Sequence, residues 1–178
     1  MKTKRLSPLD LCYMGVFTST MAICAQIAIP GPGGVPFTLQ AWAIALAGLI
    51  LGPKNGVFAT LLYISLGAVG APVFANFSGG FGVILGPTGG FILSFPILAF
   101  FAGIGGRKNK HFHIILGLTA GTIFNFASGM FYFSIITSLS IPISFMYAVA
   151  PFIPSGIIKI VVLPTLNKKI KAALNLYQ

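Results

Sequence analysis

Acidic residues are almost absent from this 178-residue sequence, which has one Asp or Glu against eleven Lys and Arg. Charged residues of both signs make up only 7% of the chain, whereas a typical soluble domain has about 25%. Hydrophobic residues make up 56%. So little polar surface cannot cover a soluble domain of this size. Because lipid accommodates an apolar exterior, we predict an integral membrane protein.

The sequence also lacks groups that membrane enzymes and proton-coupled transporters generally require. Asp10, the single acidic residue, lies at the start of the first apolar run, where we expect a solvated helix-start charge. His111 and His113 lie in or beside a basic loop and are expected to be solvated or interfacial. No Cys/His cluster indicates a metal site, and no Gly-x-x-x-x-Gly-Lys-Ser/Thr phosphate loop is present. We therefore expect no catalysis, metal or cofactor, and no ATP hydrolysis by this chain.

Cysteine is scarce as well. Cys12 and Cys24 both lie in the first apolar run, where twelve residues of helix separate them by about 18 Å. That distance is too long for a disulfide, so we expect two small packing residues. No cleavage pattern follows the basic N terminus, and we expect the first helix to be retained.

What the sequence has in abundance is apolar segments. At roughly 20 residues per crossing, the chain can span a bilayer about six times as one domain, 1–178. Proline and glycine mark several segment ends. The pattern predicts an all-α bundle with helices over 8–29, 37–51, 57–69, 87–104, 112–138 and 155–174. The glycine-rich stretch 70–86 and the Pro-interrupted stretch 147–154 are expected to be irregular.

Basic residues occur on alternate connections. All Lys and Arg except Lys159 lie in the segments that share one side: 1–7, 52–56, 105–112 and the C-terminal tail. The opposite connections contain neither residue type: 30–36, 70–86 and 138–154. The positive-inside rule therefore predicts that both termini are cytoplasmic. This placement indicates that the basic residues are membrane anchors that contact anionic lipid. It does not favour a nucleic-acid-binding face, which would carry them in one stripe with polar neighbours.

Lys159 lies inside the last apolar segment, where an ammonium is costly without a counter-charge. It either extends to the outer interface or receives an anionic group of a ligand. Pro154-Ser155-Gly156 precedes it and places it in the first turns of a helix, whose dipole and free backbone amides attract an anion. This placement favours the ligand.

Three other features have two interpretations each. The glycine-rich segment that begins at Asn76 either allows close helix packing or lines a pocket. The loop 30–36 is either a plain connector or a lid above Thr38, Gln40 and Trp42. On the first helix, the small residues either pack inside the bundle or dock onto another membrane subunit: Gly15, Thr18, Ser19 and Ala22.

Several motifs, in this order, resemble one family along nearly the whole chain: the biotin-specific substrate-binding subunits (S components, BioY) of energy-coupling factor transporters. They are Val35-Pro-Phe-Thr-Leu-Gln40, Leu49-Ile-Leu-Gly-Pro-Lys54, Leu62-Tyr-Ile-Ser-Leu-Gly-Ala-Val-Gly-Ala-Pro-Val-Phe74, Gly79-Gly-Phe-Gly-Val-Ile-Leu-Gly-Pro-Thr-Gly-Gly-Phe91, and Pro151-Phe-Ile-Pro154 followed by Lys159. The resemblance implies a six-helix bundle in the cell membrane that binds biotin from outside and delivers it inward. A shared transmembrane coupling subunit and two cytoplasmic ATPases would drive the cycle.

The resemblance also implies roles for individual residues. Asn76 and Lys159 match pocket residues of the family, and Gly15 and Ser19 fill the places of its Ala-xxx-Ala docking face. Biotin's carboxylate would pair with Lys159, and its ureido ring with Asn76, with Gln40 or Asn125 as further candidates. The apolar bicycle needs walls, for which the candidates are Phe37, Trp42, Phe74 and Tyr147.

The sequence departs from the family at one place. Pro-Gly-Asp usually precedes the lysine, whereas this chain has Pro154-Ser155-Gly156 and so lacks the carboxylate. Lys159 is left without an internal counter-ion, and the ureido contacts must differ. An S component for another small vitamin therefore remains an alternative. A membrane enzyme and a structural partner without a ligand are disfavoured by the missing catalytic groups and by Lys159, respectively.

Overall fold

The computed structural model describes residues 7–108 and 110–175. Helix α1 spans Pro8–Gln26 and begins in a capping box. Ser7 Oγ accepts a hydrogen bond from the Asp10 amide at 3.1 Å, and the Ser7 amide donates to Asp10 Oδ2 at 2.9 Å. Asp10 is therefore a helix-start residue, as predicted. The N-terminal anchors expected from the sequence lie outside the described residues: Lys2, Lys4 and Arg5.

Helix α1 ends earlier than predicted because the chain turns into a small hairpin. Strand β1 (Ala28–Ile29) pairs antiparallel with β2 (Phe37–Thr38), and a 3₁₀ turn over Pro32–Gly34 lies between them. This boundary was not predicted, since apolar residues continue beyond Gln26 to Ile29. The loop 30–36, for which the sequence allowed a plain connector or a lid, is thus flanked by paired strands.

Helix α2 spans Gln40–Ala68 and folds back on itself at Gly52, whose backbone has φ 80° and ψ 174°. A straight helix would separate Gly48 from Gly56 by about 12 Å. Instead, a Cβ built on Gly56 would lie 2.8 Å from Gly48 Cα. The two halves of α2 correspond to the second and third predicted helices. Their turn is tighter than expected because Pro53 fits the first turn of the second half.

The glycine-rich connection predicted after α2 contains a 3₁₀ turn over Ala75–Phe77 and a short helix, α3 (Phe81–Ile84). Two long helices follow, α4 (Gly89–Arg107) and α5 (His111–Thr137). Their ends lie within about three residues of the predicted ones, which is the usual uncertainty of helix boundaries. These two helices and α2 form the centre of the bundle.

The last part of the chain has one helix more than predicted. Helix α6 (Ile141–Ala148) and a 3₁₀ turn (Ala150–Phe152) precede α7 (Ile153–Asn175). Pro142 lies in the predicted connection 138–154, and Pro151 lies in the stretch predicted to be Pro-interrupted, 147–154. Each occupies a first helical turn, where proline is tolerated. The predicted final helix, 155–174, matches α7.

Five helical elements of the described chain are long and apolar enough to cross a membrane, and α2 among them folds back on itself. The prediction of about six helical segments is therefore confirmed. Apolar side chains cover the outside as well as the core, since Ile23 is 67% exposed while Met21 is fully buried. Such an exterior suits lipid. Cys12 and Cys24 are free thiols, as expected. Cys24 packs against the core, as predicted, whereas Cys12 is exposed and the prediction of a packing residue is wrong there.

Candidate ligand-binding cavity

A cavity of about 290 Å³ lies at the end of the bundle where α1 finishes and α7 begins. Its walls come from the hairpin after α1, the start of α2, the loop before α3, the first half of α4, the middle of α5 and the start of α7. Many distant parts of the chain thus converge on one space. Ligand cavities for small molecules begin at about 300 Å³, so this volume suits a compact ligand.

Lys159 lines the cavity from the second turn of α7 and is 3% exposed. No hydrogen bond or ion pair connects its side chain to another described residue. Asp10, the one acidic residue, lies at the far end of α1, about 24 Å of helix away from Gln26. It belongs to a second cavity, of about 520 Å³, together with Lys54, Arg107 and Lys171. The Lys159 ammonium therefore faces the first cavity without a counter-charge from any described residue.

Two buried amides contribute polar atoms to the same cavity. Asn125 on α5 donates from Nδ2 to the Phe91 carbonyl at 3.0 Å and to Ser94 Oγ at 2.7 Å. Its Oδ1 has no partner among the described residues. Gln40 donates from Nε2 to Tyr63 Oη at 2.7 Å. The amide orientations are thus fixed by the protein, and each side chain can offer an oxygen to a ligand.

Asn76 lines the cavity from an exposed turn between α2 and α3. Its backbone is left-handed (φ 56°, ψ 39°), and that of Phe77 follows with φ 55°. The turn is closed by a bridge from the Phe74 amide to the Ser78 carbonyl at 3.0 Å. Ser78 Oγ also donates to the Ala75 carbonyl at 2.7 Å. This geometry brings the Asn76 side chain to the rim of the cavity.

Of the eight substrate-binding residues predicted from the sequence, six line the cavity: Thr38, Gln40, Trp42, Phe74, Asn76 and Lys159. Phe37 is not among the lining residues but stacks on Phe152, which is, with ring centroids 4.3 Å apart. Tyr147 also lies outside the lining and is 45% exposed. Tyr147 lies beside the hairpin turn instead, since a Cβ built on Gly33 would lie 3.3 Å from Tyr147 Cβ.

The sequence did not identify most of the aromatic wall. The lining residues that it missed include Phe91, Phe95, Phe126 and Phe152. Helices that are apolar on every side carry no periodic signal for the inward face, so these residues could not be separated from lipid-facing ones. Trp42, which was predicted, donates from Nε1 to Ser155 Oγ at 3.2 Å and so connects α2 to α7.

Gly156, where the family usually has Asp, also lines the cavity. A Cβ there would lie 3.3 Å from two ring atoms of Phe126 and 3.5 Å from Thr122 Cγ2. A side chain at this position therefore requires a small shift of Phe126. Among the described residues, the cavity lining contains no acidic side chain.

The small residues of α1 divide between two faces. Gly15 and Ser19 are exposed, and a Cβ on Gly15 would meet no atom within 4 Å. Thr18 is 5% exposed and donates to the Ala59 carbonyl at 3.1 Å, while Ala22 packs against the core. Only the first pair is therefore accessible to another subunit.

No group of three His, Cys, Asp or Glu side chains within 7–108 and 110–175 is arranged to hold a metal ion. Polar recognition in the cavity therefore involves the ammonium, the amides and the hydroxyls described above.

Residues 1–176 match the BioY family. The chain is 37% identical to the biotin transporter BioY of Thermotoga maritima over 163 residues, which cover 91% of this chain and 95% of the relative. It is 35% identical to the biotin transporter BioY of Rhodobacter capsulatus over 167 residues, covering 86% and 88%. The probable biotin transporter BioY of Pyrococcus horikoshii is 47% identical over 118 residues, covering 66% and 69%.

One solved structure shares the architecture. The crystal structure of the S-component for biotin from an ECF-type ABC transporter matches with a TM-score of 0.82 and 26% sequence identity. The match covers 92% of this chain and 91% of that one.

Proposed function

This chain belongs to the BioY family, an integral-membrane transporter family rather than an enzyme family, and on that premise we propose that it is a biotin-capture subunit of an energy-coupling factor transporter. It binds biotin from outside and delivers it inward. The observation that carries the proposal is Lys159, which has no partner among the described residues and is buried in a cavity that also contains amide oxygens. The whole chain, 1–178, acts as one substrate-binding domain, and both termini are cytoplasmic.

The cavity offers a group for each part of biotin. The carboxylate pairs with Lys159, because a buried ammonium needs an anion. The ureido ring, which has N–H donors, binds the free oxygens of Asn125 and Gln40, with Asn76 at the rim. The apolar bicycle lies against Trp42 and the aromatic rings, where it is removed from water. Thr38 and Phe74 complete this wall.

An equilibrium binding assay with radiolabelled biotin and purified protein tests this function. We expect saturable binding, and we expect biotin methyl ester to compete about ten- to a hundred-fold more weakly, since it lacks the charge for Lys159. Riboflavin and thiamine serve as unrelated competitors and should have no effect. Absence of biotin binding would contradict the proposal.

The missing carboxylate at Gly156 favours one second candidate, an S component for another small vitamin. The same assay, repeated with radiolabelled riboflavin or thiamine in place of biotin, separates the two. If a different vitamin bound saturably while biotin did not, the chain would be an S component with another ligand.

Delivery requires partners, because the chain has no phosphate loop of its own. The proposed partners are a shared transmembrane coupling subunit and two cytoplasmic ATPases, together with anionic lipid at the basic end. The exposed face of Gly15 and Ser19 is the proposed contact for the coupling subunit, since small residues let helices approach closely in lipid.

Co-purification with co-expressed coupling subunit and ATPases tests this contact. Gly15→Leu and Ser19→Leu should each reduce assembly and stop energised uptake while biotin binding is retained. Val16→Leu introduces the same side chain at an exposed neighbouring position and should assemble normally. Normal assembly of both interface variants would assign this face to a role other than docking.

A further inference from the structure

The turn that carries Asn76 has an unfavourable backbone. Asn76 and Phe77 are consecutive non-glycine residues with left-handed φ values of 56° and 55°. Asn adopts this conformation readily, whereas an aromatic residue rarely does. Interactions outside the two residues must therefore stabilise the turn.

Two polar groups of the turn lie outside the bonds that close it. The bridge between Phe74 and Ser78 uses the Phe74 amide, and both Ser78 donors bind the Ala75 carbonyl. The Phe77 amide and the Phe74 carbonyl are not part of this set. Next to a bilayer, each would be costly if it were unpaired.

The side chain of Gln26 binds both groups at once. Its Oε1 accepts from the Phe77 amide at 2.8 Å, and its Nε2 donates to the Phe74 carbonyl at 3.2 Å. Nε2 also donates to the Ala22 carbonyl of α1 at 2.9 Å, which fixes the direction of the amide. One side chain thus spans the whole turn.

Gln26 is also the last residue of α1, and β1 begins two residues later. Since β1 pairs with β2, the backbone that follows α1 is part of the hairpin. The Gln26 side chain, at the end of the same helix, binds the Asn76 turn. Both segments contribute lining residues to the cavity, among them Thr38 and Asn76.

We propose that Gln26 is a positioning residue of the ligand site, which holds the Asn76 turn in the left-handed conformation that brings Asn76 to the bound ligand. Gln26 does not line the cavity, so its effect on binding is indirect. The proposal rests on the proposed function only in taking biotin as the probe.

The test compares two variants. Gln26→Met keeps the side-chain length and loses both bonds to the turn, whereas Gln26→Glu keeps the acceptor for the Phe77 amide. Biotin affinity should fall about tenfold in the first variant, mainly through faster dissociation, and less in the second. Thr20→Val is the matched control, because the Thr20 hydroxyl donates to the Val16 carbonyl of its own helix and to no other described residue. Its affinity should equal that of the unmodified protein.

A rescue distinguishes positioning from a general loss of structure. Phe77 is 71% exposed and outside the cavity lining, and glycine adopts a left-handed backbone without strain. Phe77→Gly should therefore restore part of the affinity lost in Gln26→Met.

In an Asn76→Ala background, Gln26→Met should have little further effect, because the two residues act through one contact. Equal losses in both backgrounds, or no loss at all, would overturn the proposal.

Hydrogen exchange gives a readout without ligand. Exchange at residues 74–78 should accelerate in Gln26→Met and not in Thr20→Val. Unchanged exchange would also overturn the proposal. If the unmodified protein failed to bind biotin but exchange accelerated as expected, the proposed ligand would be wrong and the positioning role would stand. If Gln26→Met does not fold, Gln26→Glu provides the same comparisons.

Discussion

The two ends of α7 each bury a lysine, but in opposite ways. Near the C-terminal end, Lys171 is half-buried and donates from Nζ to the Gly106 carbonyl at 3.0 Å. About three turns earlier, Lys159 is 3% exposed, and no other described residue bonds to it. Burial alone therefore does not identify a binding residue. The absence of a partner within the described chain is what distinguishes the lysine proposed to meet a ligand from one that holds two helices together.

The largest expected effect comes from Lys159→Ala. A charge-assisted hydrogen bond contributes about 1.5–3 kcal/mol, so biotin affinity should fall about ten- to a hundred-fold. Folding should change little, since a buried ammonium without a counter-charge does not stabilise the empty protein. Equilibrium binding and thermal unfolding measure both quantities. Lys168→Ala, an exposed lysine of the same helix, is the control. Unchanged binding in Lys159→Ala would contradict the proposal that Lys159 pairs with the carboxylate of biotin.

A smaller effect is expected when the family carboxylate is restored beside Lys159. Gly156→Asp combined with Ser155→Gly should tighten biotin binding or leave it unchanged. The new carboxylate can accept ureido N–H groups, worth roughly 1–3 kcal/mol, but it can also pair with Lys159 one turn away and repel the ligand carboxylate.

Titration calorimetry with biotin and a ureido-modified analogue separates these opposing effects. Ser155→Gly alone is a necessary control, because it removes the bond from Trp42 Nε1 at 3.2 Å. Gly156→Asp also requires Phe126 to shift slightly. A large loss of affinity beyond that of the control would mean that this pocket recognises its ligand differently from its relatives.

The smallest effect is expected at the other lysine. Lys171→Met keeps the side-chain length and loses the bond to Gly106, so the free energy of unfolding should fall by about 0.5–1.5 kcal/mol. Biotin affinity should stay the same, because Lys171 lies outside the ligand cavity. Denaturant or thermal unfolding, together with the binding assay, measures the two. A marked loss of binding would eliminate the contrast between the two lysines.

Composition and the placement of proline, glycine and charge were sufficient to predict the membrane class and most helices. The same signals failed where an apolar run crosses a structural boundary. Nothing in the run to Ile29 showed that α1 ends at Gln26, and nothing showed that the α2 turn needs only Gly52 rather than the whole 52–56 segment. Helix α6 was not predicted, because a proline is compatible both with a break in a chain segment and with the first turn of a helix, and Pro142 occupies the latter.

The residues of the candidate site were also only partly predictable from the sequence. Lys159 was conspicuous because a lone charge in an apolar segment is rare. Phe126 and Phe152 were not, since phenylalanine faces both lipid and cavity in this chain. Gln26 was missed for another reason: a single amide at a helix end forms no pattern until the turn that it binds is seen in space.

If the proposed site is correct, we expect Asn125 to make the cavity selective in a further respect. Both of its N–H bonds point at the protein, one to the Phe91 carbonyl and one to Ser94 Oγ, so toward a ligand the side chain is an acceptor only. A ring N–H is matched by its Oδ1. An isosteric ligand with an oxygen atom in place of the ring N–H would bring two acceptors together. Asn125 Oδ1 would then lack a donor, which costs about 1–3 kcal/mol for a buried group. We therefore expect the hydrogen-bond polarity of Asn125, which the Phe91 carbonyl of α4 helps to set, to discriminate between ligands that have the same shape.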